Sequence, residues 1–489
     1  MAVKSLKSNF IYNLLLTFLN IVIPLITLPY LSVILGVDNI GKVNLATSVT
    51  TWLVLLASLG IPTYGIREIA KARDDKKKLS IVFWELNALK AIITVIILLI
   101  YVIVIFNQPK FYSEVSLYLI FAISIIANLF STDWFFQGIE EYKYITTRGF
   151  IIKVITLVFI FVGVKNQDDY MIYAGITVIL MLANNLVNIV YCRKFIDFKF
   201  QLRELRIFSH LKSLKYFWIS GIIFSIYTQL DVLILGLNAS DKAVAFYTRS
   251  KQVQMIALSF STALSQVLIP RASYLFNHDI DRFKEIVGKS VNYILLISIP
   301  MTLGVMILSK EIMWILGGDN FIAGALCLTI IGSTIIIYSL GTLLYSQVLL
   351  PMGHDNKSLK IHAISAGVSI VFNFMLIPKF AEIGAAIAFL LAQSVGNVYG
   401  ILLSKRLVSI RIVSKSSLKY GVAGAAMLLA IYLIKLAVAD KLIVICSSLA
   451  LGSIVFFAVL FVSREEIVMA SLTKISNKIL KNNKVKKVM

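Results

Sequence analysis

Long charge-free hydrophobic stretches dominate this chain, and its polar residues gather between them. The clearest runs are Ser8–Val37, Val43–Ile66, Ala91–Pro109, Tyr170–Cys192, Gln252–Pro270, Ile383–Ser404 and Leu442–Ser463. About 20 apolar residues of helix cross a ~30 Å hydrocarbon core. Lipid offers the backbone no hydrogen-bond partners, so only helices or closed barrels span it. These runs are too long, and alternate too little, for barrel strands. The pattern predicts an all-α polytopic membrane protein with about 14 transmembrane helices. They fall near 9–35, 43–66, 81–106, 115–137, 149–165, 170–192, 215–237, 245–270, 288–308, 321–349, 360–378, 383–404, 418–438 and 442–463. The fifth is short and carries Lys153, and the eighth begins with Arg249 and Lys251.

Charge orients the pattern. With the N-terminus inside and strict alternation, inner segments hold 35 Lys and Arg and outer loops hold 10, while Lys90 and Lys153 sit within spans. That asymmetry matches the positive-inside rule and puts both termini in the cytoplasm. Dividing the long run at 320–354 would reverse every later loop and expose "SKRLVSIRIVSKSSLK" outside, so it is read as one span. The net charge of +22 is thereby explained by orientation and by anionic lipid heads, without nucleic acid. Over 489 residues, 59% are hydrophobic, and the mean hydropathy is +0.87. No cleavable signal peptide is expected.

The chain reads as duplicated. Gly138 opens "GIEEYKYITTRGFI" and Gly353 opens "GHDNKSLKIHAISAG", 215 residues on. "VILGV" at Gly36 pairs with "LILGL" at Gly236, and "IPTYGIREIA" at Ile61 pairs with "IPRASYL" at Ile269. Two six-span halves follow, residues 1–192 and 215–405, pointing the same way in the membrane. Residues 193–214 join them as an interfacial amphipathic linker, with Phe198, Leu202 and Leu205 on one face. Two extra spans occupy 406–463, and a basic cytoplasmic tail occupies 464–489.

Recognisable enzyme chemistry is scarce. "GVDNIGKV" nearly matches a phosphate loop, but Val43 stands where the magnesium-binding hydroxyl belongs, in a short turn between spans. His210, His278, His354 and His362 lack ligand spacing, so no metal or other cofactor is expected. Cys192, Cys327 and Cys446 read as packing residues, and Asp74 and Asp75 as part of a solvated loop, "RDDKKK". The informative residues are polar groups inside spans: Lys90, Lys153, Asp231, Asp133 and Glu85. A charge at mid-bilayer costs about 2.5–3.5 kcal/mol, so such groups face wet cavities or pair locally. Lys153 either snorkels or faces a cavity. Asp231 either pairs with Arg249 or Lys251 or serves the cavity. Amides recur as well, among them Asn128, Asn184, Asn188, Gln347, Asn373, Gln393 and Asn397. They suit interhelical hydrogen bonds or a cavity for hydroxyl-rich cargo.

"DWFFQGIEEYKYIT", with Asp133, Trp134, Gln137, Gly138 and Glu140, resembles a signature of the polysaccharide-transporter family, the Wzx-type flippases of the multidrug/oligosaccharidyl-lipid/polysaccharide exporter superfamily. "YTQLDVLILG", "QVLIPRAS", "YSQVLLPMGHDNKSLK" and "NFMLIPKFAEIGAAIAFLLAQ" resemble it too, and the likeness runs to about residue 405. The resemblance implies two six-helix bundles in a V. It implies passage of undecaprenyl-diphosphate-linked sugar units across a bacterial cytoplasmic membrane through a cationic central cavity. By motif position Asp231, Arg249 and Lys251 fall on cavity positions. Many relatives have an Arg where this chain has Val33, so Lys90 and Lys153 become substitute cations. Asp231 and Asp133 are coupling-ion candidates; Trp134, Gln137, Gly138 and Glu140 are gating candidates. Asp133 and Trp134 are expected to seat the fourth span at the inner interface, Gly138 to turn the chain, and "IEEYKY" to form a loop. Expected partners are the lipid-linked oligosaccharide, membrane lipids and polysaccharide-assembly proteins, with the chain a monomer. Two alternatives stand: a cation-coupled multidrug antiporter of the same superfamily, and a glycan-polymerising membrane enzyme.

Overall fold

The computed structural model describes residues 6–198, 205–353, 355–408, 414–470 and 473, and the described chain is helical throughout. In chain order the helices are α1 (Leu6–Ser58), α2 (Ile61–Ala72), α3 (Lys76–Asn107), α4 (Pro109–Tyr112), α5 (Val115–Leu129), α6 (Asp133–Gly138), α7 (Tyr142–Gly163) and α8 (Tyr170–Cys192). Then follow α9 (Leu211–Asn238), α10 (Asp241–His278), α11 (Ile280–Ile307), α12 (Ser309–Gly317), α13 (Ala325–Leu344), α14 (Asp355–Leu407), α15 (Lys415–Ala437) and α16 (Lys441–Val462). Eleven stretches among the described residues are long and apolar enough to cross a membrane. Two of them hold two crossings each, because α1 breaks at Gly36 (φ 74°) and α14 breaks at Ala381 (φ 46°). The 38-residue α10 occupies the positions expected for the eighth crossing. The long 320–354 run is one crossing: α13 continues through a π-helical turn, Tyr345–Leu349.

Outward faces are apolar. On α3, Val95, Leu99 and Ile103 are exposed, while Leu89, Lys90, Tyr101 and Ile105 point inward. Water would not tolerate such a surface over every helix, and lipid does.

Two compact units divide the described chain. One comprises the residues up to Thr248 with Ser369–Ala385, the other Arg249–Val368 with the residues from Ala386 onward. In the first unit, an aromatic core of Phe83, Trp134, Phe135 and Phe136 joins α3, α6 and α8. In the second, α15 and α16 form a hairpin against α11, sharing a core with Phe283, Tyr420 and Phe456. Lys435 and Glu311 pair there at 2.9 Å.

Several expectations need correction. The second crossing ends at Ser58, not near 66, because Leu59 (φ 51°) and Gly60 (φ 74°) both turn left-handed. "IPTYGIREIAKA" is instead the separate helix α2, which buries Ile61, Tyr64, Gly65 and Ile69. The loop "RDDKKK" is partly a helix start. Asp75 caps α3 by accepting from the Lys77 and Lys78 amides, and those bonds, Lys78 first, hold its carboxyl below the usual range. The fifth crossing begins at Tyr142, so Lys153 lies mid-helix rather than near its start. Cys192 and Cys327 are buried, but Cys446 is exposed. The expected linker face falls partly outside the described residues, at 199–204. Phe198 packs edge-on against Trp84 at 5.2 Å. Most of the basic tail also lies outside the described residues.

Candidate functional site

The most concentrated polar chemistry in the first unit surrounds the short break between α5 and α6. α5 stops at Leu129, and helix resumes only at Asp133. Interrupting a crossing frees backbone carbonyls that lipid cannot satisfy. Side chains satisfy two of them. The Lys90 ammonium, on a residue 2% exposed, donates to the Ser131 carbonyl at 2.8 Å. Asn185 Nδ2 donates to the Ala127 carbonyl at 2.9 Å.

One turn further, Asp133 Oδ1 accepts from Arg148 Nη2 at 2.8 Å and from Asn188 Nδ2 at 2.9 Å. Tyr144 donates to Asn188 Oδ1 at 3.3 Å, and the Arg148 guanidinium lies 5.4 Å from the Tyr144 ring. Arg148 is buried, and its Nε and Nη1 have no hydrogen-bond partner among the described residues. Two basic side chains and one carboxylate thus meet around the break.

The predicted motif residues pack rather than line the interface. Trp134 is 3% exposed and stacks near Phe83, so it does not reach lipid head groups. Gly138 does not turn the chain; the left-handed residue is Glu140, φ 61°. Glycine is needed at 138 for close approach: a Cβ there would sit 2.6 Å from Ile69 Cγ2. The expected loop "IEEYKY" shrinks to residues 139–141, since Tyr142 already starts α7. Glu140 accepts from Arg73 Nη1 at 3.0 Å, tying the turn to the end of α2, and Gln137 is half-buried.

Among the other predicted residues, Asp231 is 1% exposed on α9; it accepts from Tyr247 OH and from the Val232 amide. Lys153 is half-buried on α7. Arg249 and Lys251 belong to the second unit. Arg249 Nη1 donates to Gln252 Oε1 at 2.6 Å, and the Lys251 ammonium lies 4.9 Å from the Phe389 ring centre. Nearby on α10, Gln254 donates to Thr334 Oγ1. Glu85, read as an intramembrane acid, accepts from His210 Nε2 at 2.8 Å and from the Arg206 amide at 2.6 Å. No group of three or more His, Cys, Asp or Glu able to hold a metal occurs among the described residues.

Arg148 and Asn185 were missed. Starting the fifth crossing at 149 put Arg148 in a loop. The available signal was spacing: Ile145 and Arg148 are one helical turn apart and share a buried face.

Fold and site together define a polytopic helical membrane protein whose first unit buries basic and amide side chains. Residues 6–276 match the family described as Polysaccharide biosynthesis protein, more than half of the chain, and the chain belongs to that family. Residues 218–375 also match the MatE family. A candidate O-antigen transporter of Escherichia coli K12 is 25% identical over 400 residues, covering 80% of this chain and 94% of that protein. A candidate low-salt glycan biosynthesis flippase of Haloferax volcanii is 26% identical over 185 residues, 38% of this chain and 39% of that protein. Among solved structures, the lipid II flippase MurJ in its inward closed conformation superposes with a TM-score of 0.73 at 15% identity, over 94% of this chain and 98% of that one. An inward-facing multidrug MATE transporter superposes with a TM-score of 0.62 at 15% identity, over 84% and 95%. At that identity these two likenesses establish the fold alone.

Proposed function

We propose that this protein is a flippase. It carries undecaprenyl-diphosphate-linked oligosaccharide units from the inner to the outer leaflet of a bacterial cytoplasmic membrane by alternating access, for surface-polysaccharide assembly. Both termini face the cytoplasm in this proposal, which rests on the 35-to-10 excess of inner Lys and Arg. The division into halves at 1–192 and 215–405 belongs to the same proposal.

The observation that carries the reading is the buried cationic cluster of Lys90 and Arg148. A buried hydroxyl without a partner costs about 4–8 kcal/mol relative to water. An oligosaccharide has many hydroxyls, and its diphosphate is charged, so the head cannot cross lipid unaided. Fixed positive charge and amides inside the bundle supply what the bilayer lacks, and the lipid tail stays in the bilayer. Arg suits phosphate because its planar fork offers several donors at once. In this proposal Lys90 and Arg148 attract the diphosphate, with Lys153 a further cation of the first unit, and Arg249 and Lys251 are the cations proposed for the second. Asp231 and Asp133 are the coupling-ion candidates of this proposal.

A cation-coupled multidrug antiporter is the second reading, favoured by the MatE match. Its cationic cargo would meet two buried cations in the first unit, which weighs against it. Reconstitution into liposomes with a labelled lipid-linked oligosaccharide separates the two. Label should reach the opposite leaflet faster than in protein-free liposomes, and Arg148→Gln should slow it. Transport of organic cations with no movement of the lipid-linked sugar would overturn the proposal.

A further inference from the structure

We infer that the first unit contains an uncharged subsite beside the cationic cluster, a pocket that takes a neutral sugar residue of the cargo head. This rests on the flippase reading and adds a division of labour to it: charge is recognised at Lys90 and Arg148, hydroxyls in the pocket. A cavity of about 310 Å³ lies among the middle turns of the second segment of α1, α5 and α8. That is at the lower end of the range for small-molecule sites. Its polar wall includes Thr50, Thr51, Ser124, Asn128, Ser131 and Asn185, and no lining residue carries a charge.

Asn128 is the second observation. It is 8% exposed, and its Oδ1 accepts from Ser58 Oγ at 3.3 Å. Its Nδ2 has no hydrogen-bond partner among the described residues. A buried donor lacking an acceptor is costly, and a ligand hydroxyl or carbonyl oxygen in the pocket removes that cost.

The wall chemistry selects the ligand class. A diphosphate needs cations, and the pocket lining has none. A neutral polyol needs mixed donors and acceptors with an apolar face for its C–H groups. Hydroxyls and amides supply the first, and Phe121 with Val178 and Met181 the second. The pocket also adjoins the cations: Ser131 lines it, and Lys90 holds the carbonyl of that same residue. A sugar in the pocket therefore has its diphosphate within reach of the cluster.

The test uses the full chain in lipid nanodiscs, with binding read by native mass spectrometry. The probes are undecaprenyl diphosphate alone and the same lipid carrying N-acetylglucosamine or galactose. At least one sugar-bearing lipid should bind about fivefold or more tighter than the sugarless one. Asn128→Leu should remove about fivefold of that gain, the worth of one hydrogen bond, and leave sugarless binding unchanged. Thr51→Val, a near-isosteric exchange, is measured alongside to separate lost recognition from lost folding and should remove part of the gain. Equal affinity for all three lipids, or a gain untouched by both substitutions, overturns the subsite while leaving the flippase reading intact. Failure of every lipid to bind overturns the flippase reading, and the subsite with it.

Discussion

Replacing Lys90 by Met separates a residue kept for transport from one kept for stability. Holding an ammonium at mid-membrane costs about 2.5–3.5 kcal/mol. Its bond to the Ser131 carbonyl, one to a charged donor, offsets about 1.5–3 kcal/mol of that. Met keeps most of the volume and removes both terms, so stability should change by no more than about 2 kcal/mol. Phe83→Ala is the contrast: that ring is fully buried against Trp84 and Phe135, and its loss should cost about 3–5 kcal/mol. Cys192 and Cys327 are buried, so a thiol-reactive dye reports unfolding on heating once the exposed Cys446 is changed to Ser. Lys90→Met should melt near the parent protein, and Phe83→Ala well below it. Flipping per folded molecule should fall about tenfold or more in Lys90→Met, equivalent to about 1.4 kcal/mol of lost interaction with the anionic head. If Lys90→Met melts as low as Phe83→Ala and flips at the parent rate per folded molecule, the ammonium is structural and the reasoning fails.

Three further outcomes are expected. Gly65→Ala places a Cβ 2.5 Å from Trp134 Cε3, so it should destabilise by about 1–3 kcal/mol; adding Trp134→Phe should recover part of the loss in a double-mutant melting cycle. Glu311→Ala leaves Lys435 with the Ile307 carbonyl alone and should cost about 1–3 kcal/mol, whereas Glu311→Leu with Lys435→Met should melt close to the parent, because an apolar pair needs no desolvation. In intact cells, a membrane-impermeant maleimide should label Lys242→Cys directly and Asp74→Cys only after lysis; the reverse order would invert the proposed topology.

The crossings were legible along the chain because each reflects local composition. A run such as Tyr170–Cys192 has one stable fate in lipid, whatever its neighbours, and α8 occupies those same residues. Family resemblance was legible too, through "DWFFQGIEEYKYIT", although the reasons for its residues were misread. Trp134 looked interfacial because tryptophan favours membrane boundaries; its burial depends on Gly65, 69 residues earlier, leaving room for the ring. Gly138 looked like the turn because glycine tolerates left-handed backbone, yet Glu140 makes it, anchored by Arg73.

Tertiary structure alone decided which polar groups meet. Asp133 finds Asn188 across 55 residues, and Lys90 finds Ser131 across 41. Asn128, Asn185 and Thr50 come together around one pocket from three separate helices. Hydropathy acts on each segment independently and so can be read from sequence. A hydrogen bond between helices depends on the rotation and depth of both, and those are set by packing of the whole bundle.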